Sequence, residues 1–259
     1  MKIRFGILSL LFVCIQASAQ VNTERYHQDY DKPGFIYFNS LGFNFASGNT
    51  RYLELSNNFR ADYNGDKNDY LLVAEYAFKT SSGTRATNKG FLHLRNTRVA
   101  GQKAFLMTET FTQLQFDEFL LLRSRFLLGG GLRFDPAMLI DSTLRKMKML
   151  KVFVGTGIFY EFEQYSSDPP EKFHLLRWSN YLSLVWAVNA HTSINFVNYI
   201  QPATADFKNI RYHMNLMLST LITNKFYYDL SLSYSYRSMP VGGKKPDDLE
   251  VKNTLRFKF

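Results

Sequence analysis

The sequence is short of cysteine, and this shortage excludes several kinds of chemistry. Its single cysteine is Cys14, within the first twenty residues. A chain that loses this segment has no thiol for a disulfide, a metal cluster or a nucleophile. Because Val13 stands where a lipoprotein signal needs a small residue, we expect no lipid attachment at Cys14.

Long apolar runs are also missing. A helix needs about 20 consecutive apolar residues to cross a bilayer, whereas charged or strongly polar residues interrupt every apolar stretch of the chain. We therefore exclude a helical membrane protein. Tryptophan is rare, with 2 residues, but 24 Phe and 16 Tyr raise the aromatic content to 16%, which favours strands over helices.

The N-terminal residues have the pattern of a secretory signal peptide. Lys2 and Arg4 precede the apolar run 7–15, and Ala17-Ser18-Ala19 supplies small residues for cleavage. We expect cleavage after Ala19. The predicted organisation is a signal peptide at 1–19, a periplasmic N-terminal segment at 20–34 and a folded domain at 35–259.

Basic residues outnumber acidic ones, with 31 Lys and Arg against 22 Asp and Glu and a formal net charge of +9. Removal of the signal peptide takes only Lys2 and Arg4, so the chain stays basic. Such a surplus favours an anionic partner, which we expect to be outer-membrane lipid, lipopolysaccharide phosphates or a small anionic solute. Nucleic acid is not expected behind an export signal.

From residue 35 onward, segments of about ten residues alternate between apolar and polar positions. In residues 226–237, for example, Tyr and Leu alternate with Ser, Asp and Arg. About twelve such segments are present, an even number that returns both termini of the chain to the periplasmic side. They are 35–46, 52–63, 70–80, 91–99, 105–115, 121–134, 151–164, 174–189, 193–201, 210–220, 226–237 and 249–259.

The connections between these segments are typical of hairpins. Short turns carry Gly or Asn, as in Ser47-Gly48-Asn49-Thr50. Longer polar connections at 80–89, 165–173 and 237–248 are the predicted extracellular loops. The connection at 135–150 is long too, but strand parity puts it on the periplasmic side, so either it holds a short helix or the strand count is wrong by one.

Alternation alone also fits a soluble barrel or sandwich with an apolar core. The export signal, the even strand count, the charges on the polar face and the aromatics near strand ends favour lipid outside and water inside. A bilayer offers no water to open strand edges, so the sheet must close. We predict an all-β fold, a transmembrane antiparallel up-and-down β-barrel of about twelve strands in the outer membrane.

Two short stretches resemble a known family. They are the Ser47-Gly48-Asn49-Thr50 turn and the segment 116–134, which contains Gly129-Gly130-Gly131. They resemble the salt-induced outer-membrane proteins, the family catalogued as domain of unknown function 481, with a likeness that covers residues 35–259. The resemblance implies an outer-membrane barrel whose biochemical activity is undefined.

Charged residues on the polar face are the candidate lumen residues. They are Arg60, Arg123, Arg125, Arg133, Lys151, Arg211, Glu161 and Glu163. If the basic residues line an open pore, they favour anionic solutes. The alternative is that they neutralise acidic residues inside a narrow or plugged barrel, and the sequence does not decide between the two.

Few residues suggest catalysis. Glu161 and Glu163 lie about 7 Å apart on one strand, a spacing that also suits paired carboxylates of glycosidases, but salt bridges to lumen arginines are the favoured interpretation. The five histidines lack metal-ligand spacing, and His213 is expected to be a hydrated lumen residue. Gly129-Gly130-Gly131 has no following Lys-Ser or Lys-Thr, so it predicts close strand approach or a bend. We expect no metal, no cofactor and no enzymatic activity.

Three functional hypotheses follow. The first is a small passive channel with a mild anion preference, and the second is a structural or stress-related barrel without transport. The third is a membrane-embedded enzyme that acts on lipid. The chain ends with Phe257 and Phe259, which we expect to form the C-terminal signal for the barrel assembly machinery.

Overall fold

The chain forms a meander of antiparallel strands in a computed structural model that describes residues 33–47, 51–100, 105–136, 150–223 and 226–257. All twelve predicted strands are present within these ranges. Their bounds are β1 (Gly34–Ala46), β2 (Tyr52–Asn64), β3 (Asn68–Ser81), β4 (Thr84–Val99), β5 (Leu106–Asp117), β6 (Leu122–Phe134), β7 (Leu150–Tyr165), β8 (Lys172–Ala187), β9 (Thr192–Pro202), β10 (Ile210–Thr223), β11 (Phe226–Arg237) and β12 (Asp247–Phe257). No helix in the described ranges has the length and apolar character needed to cross a bilayer.

Each strand pairs with the next in sequence, from β1 to β12. Among the described residues no ladder joins β12 to β1, but the sheet is strongly curved. Arg237 on β11 binds Glu163 on β7, with 3.1 Å between Nη2 and Oε2, although strands four apart in a flat sheet lie about 19 Å apart. The curvature brings the inner faces together, and the predicted all-β, up-and-down transmembrane barrel is confirmed.

The distribution of burial is the reverse of that in a soluble protein. Leu41 and Phe43 on β1 are 78% and 68% exposed, whereas Arg125 and Glu161 are completely buried. Soluble proteins almost never bury charged residues while they expose whole apolar faces. Hydrocarbon around the barrel explains both observations, because it solvates the apolar outer face and leaves charged groups to pair inside.

The predicted loop at 80–89 is wrong, because β3 and β4 continue to a tight turn at Ser82 and Gly83 with φ of 51° and 82°. The strands contain 11 to 16 residues, more than the roughly 9–11 needed to span a bilayer. Strand ends beyond the hydrocarbon meet water on both faces. Polar residues therefore occupy successive positions there, and the alternation disappears although the strand continues.

The connections 82–83, 118–121, 166–171, 203–209 and 238–246 lie at one end of the barrel, which we call the loop end. Two of them, 166–171 and 238–246, correspond to predicted long connections. Several predictions lie outside the described residues. These are the signal peptide, most of the segment 20–34, Gly48-Asn49-Thr50, the centre of the connection at 135–150, the side chain of Phe257, and Phe259.

Candidate functional site in the barrel interior

The inner face of the barrel is crowded with charged side chains that are buried. Within the described part of the chain these are six arginines and six carboxylates, so buried charge is formally balanced. The alternation of the strands explains their position. Inward positions are even-numbered at the end of β2 and, apart from the start of β6, odd-numbered in β3 to β11. The buried charged residues are Arg60, Arg95, Arg125, Arg133, Arg177, Arg211, Asp62, Glu109, Asp117, Glu161, Glu163 and Asp229.

Glu161 on β7 is the centre of the larger group of ion pairs. Its Oε1 lies 2.6 Å from Nη2 of Arg125 on β6 and 2.9 Å from Nη1 of Arg211 on β10. Its Oε2 lies 2.5 Å from Nε of Arg177 on β8. One carboxylate therefore binds three guanidinium groups from three strands, at distances typical of charge-assisted hydrogen bonds.

Glu163, two residues further along β7, binds a partly different set of arginines. Its Oε1 lies 2.6 Å from Nη2 of Arg211 and 3.3 Å from Nε of Arg125. Its Oε2 accepts from Nη2 of Arg237 at 3.1 Å, and Arg237 also donates to the Tyr165 hydroxyl. We call Arg125, Arg177, Arg211, Arg237, Glu161 and Glu163 the Glu161 cluster, which contains four guanidinium groups and two carboxylates.

Arg177 connects this cluster to the loop end. Its Nη1 donates to the backbone oxygens of Gln201 and Asn209, at 3.0 and 3.1 Å. Its Nη2 donates to Oδ1 of Asn209 at 2.9 Å. The connection between β9 and β10 is therefore held to the interior through a single buried side chain, which uses all three of its nitrogens.

A second, smaller group of ion pairs surrounds Glu109 on β5. Its Oε1 lies 3.2 Å from Nη1 of Arg133 and 3.9 Å from Nη1 of Arg95. Its Oε2 accepts a 2.6 Å hydrogen bond from the Tyr181 hydroxyl on β8. The Arg133 guanidinium also lies 3.9 Å from the centre of the Phe153 ring, a cation–π geometry. We call Arg95, Glu109, Arg133 and Tyr181 the Glu109 cluster.

Glycines make room for these large interior side chains. A Cβ on Gly155 would lie 1.9 Å from Cε1 of Tyr181, so the tyrosine ring occupies the space that a side chain would need. Gly131 and Gly157 face each other across β6 and β7. A Cβ on Gly131 would lie 2.4 Å from the backbone oxygen of Thr156. The sequence interpretation of Gly129-Gly130-Gly131 as a place of close strand approach agrees with this geometry.

Apolar and aromatic side chains fill the interior beside the ion pairs. Phe159 is 1% exposed, and its ring centre lies 6.0 Å from that of Phe111. The imidazole of His93 stacks between Phe111 and Phe91, at 5.9 and 6.0 Å between ring centres. Val73 is completely buried as well. From β3 to β10, the described inner face therefore combines buried ion pairs with packed apolar and aromatic side chains.

The β10–β11 part of the inner face carries hydrogen bonds between neighbouring polar side chains. The predicted lumen residue His213 is buried, and its Nδ1 lies 3.0 Å from the Ser235 hydroxyl. Asn215 donates to the Ser233 hydroxyl at 2.8 Å, and the Ser219 hydroxyl donates to Asp229 at 2.5 Å. His213 is therefore part of a polar ladder between two adjacent strands.

A cavity of about 520 Å³ opens at the loop end, directly above the Glu161 cluster. Glu163, Arg211 and Arg237 form its charged floor. An apolar wall of Leu122, Tyr165 and Val241, which pack together as a buried group, forms one side. Charged residues of the β11–β12 connection and of the start of β12 complete the lining, and these are Lys244, Lys245, Asp247 and Asp248.

The predicted lumen residues do not form a single site. Arg125, Arg211, Glu161 and Glu163 meet in the Glu161 cluster, and Arg133 belongs to the Glu109 cluster. Arg60 pairs with Asp62 on its own strand, with 2.7 Å between Nε and Oδ2. Lys151 is only half-buried, near the start of β7.

Arg123 differs from the other predicted lumen residues, because it is exposed at the start of β6. The pairing of β6 with β7 shifts register between Leu122 and Ser124, which puts Leu122 in a buried position beside Arg123. The simple alternation used to assign Arg123 to the lumen does not continue through this irregularity.

Sequence reasoning missed Arg95, Arg177 and Arg237. The alternation of the sequence could have identified each of them as an inward residue, because each shares its face of the strand with polar or small residues. Arg177, for example, precedes Ser179 and Ser183 at odd positions of β8, opposite the exposed Trp178 and Trp186. In the described ranges no three His, Cys, Asp or Glu side chains are grouped so that they could hold a metal ion.

Comparisons with known proteins find one family and distantly similar solved structures, among them a porin and a translocator domain. The model of the family described as "Protein of unknown function, DUF481" matches residues 40–259. A NanC porin structure is 8% identical, with a TM-score of 0.49 over 87% of this chain and 99% of that chain. The translocator domain of autotransporter NalP from Neisseria meningitidis is 12% identical, with a TM-score of 0.47 over 89% of this chain and 90% of that chain. No curated protein matches the sequence.

Proposed function

Since this chain belongs to the DUF481 family, whose description leaves the activity open, we propose its function from the barrel interior: it is an outer-membrane barrel whose lumen is closed by buried ion pairs. In this proposal the barrel is a membrane-embedded structural protein that presents its loop end to the surroundings. It is not a permanently open pore.

One observation carries the proposal. The side chains of Arg125, Arg177, Glu161 and Glu163 are 0–1% exposed, although they lie on the face where an open channel would carry water. Lumen residues of an open pore are solvated by the water that passes them. Ion pairs this dry are instead characteristic of a packed interior, in which separation of the charges is costly.

The hypothesis of a passive channel with an anion preference has less support. It requires unneutralised arginines along a water-filled path, whereas the buried arginines and carboxylates are equal in number within the described residues. The proposal therefore assigns the predicted lumen charges a structural role and includes no catalytic role for Glu161 and Glu163.

Localisation and partners complete the proposal. We infer export by a signal peptide that is cleaved after Ala19, and insertion by the barrel assembly machinery through Phe257 and Phe259. Outer-membrane lipid and lipopolysaccharide then contact the exposed apolar face. Mass spectrometry of the protein purified from membranes should give an N-terminus at Gln20, and an intact Met1 would contradict this part.

Planar-bilayer recording of the refolded protein tests the closed lumen. We expect the wild-type barrel to give no discrete conductance steps. The triple variant Arg125→Ala, Glu161→Ala, Arg177→Ala removes the centre of the cluster and should conduct, whereas the control Glu54→Ala, Lys79→Ala removes an exposed ion pair and should stay silent. Regular steps from the wild type would overturn the proposal.

A folded but silent triple variant would show that these ion pairs are not what closes the lumen. Folding of each variant is checked by its heat-dependent migration in gels and by its β-sheet circular dichroism. Only variants that pass both checks enter the conductance comparison.

A further inference from the structure

The cavity at the loop end combines a charged floor with apolar walls, a combination typical of ligand pockets. Its volume of about 520 Å³ lies within the range of roughly 300–1,000 Å³ found for small-molecule sites. From this combination we infer that the cavity binds a small organic anion, a carboxylate attached to an apolar body.

The charged groups on the floor of the cavity favour an anionic ligand. The Glu161 cluster below it holds four guanidinium groups and two carboxylates, so its arginines are in excess. Buried Nε atoms of both Arg211 and Arg237 have no hydrogen-bond partner among the described residues. Arg237 is the more accessible of the two, since its side chain is 17% exposed and that of Arg211 is 5% exposed.

The apolar wall of the cavity favours a ligand that also has an apolar part. Leu122, Tyr165 and Val241 are each less than 9% exposed and pack as one group, supported by Leu120 and Phe173. This group joins the end of β7 to two connections of the loop end. An apolar ligand chain would extend along it and displace water from mainly apolar surface.

The mouth of the cavity favours anions as well. Lys244 lies with its Nζ 4.5 Å from the centre of the Phe119 ring, and Lys245 also lines the cavity. With the two floor arginines, the lining contains four cationic groups against three acidic ones, Glu163, Asp247 and Asp248. A carboxylate in the cavity therefore lies among more cationic than acidic lining groups.

Octanoate is a suitable probe, because it carries a carboxylate and an apolar chain and stays soluble. We would titrate it into wild-type protein in nanodiscs of zwitterionic lipid and follow the methyl NMR signals of Val241 and Leu122. We expect saturable shifts at these two methyl groups. Octanamide, which keeps the chain without the charge, and inorganic phosphate, which keeps charge without the chain, should each bind at least about tenfold more weakly.

Two variants locate the binding site. Arg237→Gln removes one floor charge and should weaken octanoate binding by about tenfold. Lys244→Gln, in a connection and therefore harmless to the barrel, should weaken it by a smaller factor. The control Arg98→Gln removes an equal charge from an exposed position at the opposite end of β4 and should leave binding unchanged.

Three results would overturn the inference. The first is the absence of saturable shifts in the wild type, and the second is equal binding of octanoate and octanamide. The third is unchanged octanoate binding in both Arg237→Gln and Lys244→Gln. The inference depends on the proposed function in one respect: the packed Glu161 cluster closes the cavity from below. A conducting barrel that still binds octanoate would overturn the proposed function alone, and a silent barrel that does not bind it would overturn this inference alone.

Discussion

The hydroxyl of Tyr181 on β8 donates a 2.6 Å hydrogen bond to Glu109 on β5, three strands away. Between them the chain crosses β6 and β7, whose glycines leave the inner face open at this level. The contact therefore links parts of the sheet that share no backbone hydrogen bonds. Together with the Arg237–Glu163 pair, it connects strands three and four apart across the interior of the curved sheet.

Removal of the Tyr181 hydroxyl should show how much its hydrogen bond to Glu109 contributes to the free energy of unfolding. Tyr181→Phe keeps the ring over Gly155 but deprives the buried Glu109 of a donor, so we expect a loss of about 1–3 kcal/mol in the free energy of unfolding. Urea titration of the protein refolded into lipid vesicles gives this quantity. Tyr70→Phe, on an exposed outward ring, is the control and should change it by less than about 0.5 kcal/mol.

Gly155 should tolerate no side chain while Tyr181 is present. Gly155→Ala puts a Cβ 1.9 Å from Cε1 of Tyr181, and overpacking of this kind costs about 1–3 kcal/mol. The double variant Gly155→Ala, Tyr181→Leu relieves the clash, so its loss should be smaller than the sum of the two single losses in a double-mutant cycle. Additive losses would contradict the steric interpretation.

Neutralisation of Glu161 should be far more harmful than neutralisation of an exposed glutamate. Glu161→Gln leaves three buried arginines with one carboxylate fewer, and loss of one partner from a buried pair costs about 3–5 kcal/mol. Glu54→Gln makes the same chemical change in a half-exposed pair with Lys79 at 3.3 Å, where about 0–1 kcal/mol is expected. Similar losses for both variants in urea titration would contradict the assignment of Glu161 as a buried centre.

The depth of a charge on the outer face should determine its cost. Leu182 lies outward near the middle of β8 and Leu249 lies outward near the loop end of β12. Leu182→Arg should cost about 2–4 kcal/mol and Leu249→Arg about 0–1 kcal/mol in vesicles. Unfolding titrations compare the two variants, and equal losses would argue against lipid contact at mid-strand.

Much of the fold could be predicted from alternation, because lipid on one side and a packed interior on the other impose a period of two wherever both are present. All twelve strands were identified in this way. The prediction of strand bounds and inward residues failed where the strand leaves the lipid or where its pairing is irregular. At 84–90 the strand β4 leaves the hydrocarbon and its polar residues resemble a loop, and at Arg123 a register irregularity interrupts the phase.

The candidate site was predictable in part. Face assignment from the sequence selected Arg125, Arg211, Glu161 and Glu163, because two-residue spacing puts them on the inner side of their strands. It could not reveal that these residues meet, since their contacts join strands up to three apart and depend on the curvature of the sheet. Nor could it reveal the cavity, whose lining includes residues of the connections 118–121 and 238–246, which carry no alternating pattern.

The exposed apolar side chains of β1 affect how the chain behaves in water before it is inserted into the membrane. Five of its outward residues are more than 60% exposed, and these are Phe35, Tyr37, Leu41, Phe43 and Phe45. In an aqueous compartment nothing in the described strands shelters them, and such segments adhere to one another. Before it is inserted into lipid, this first strand is therefore expected to make the chain prone to aggregation.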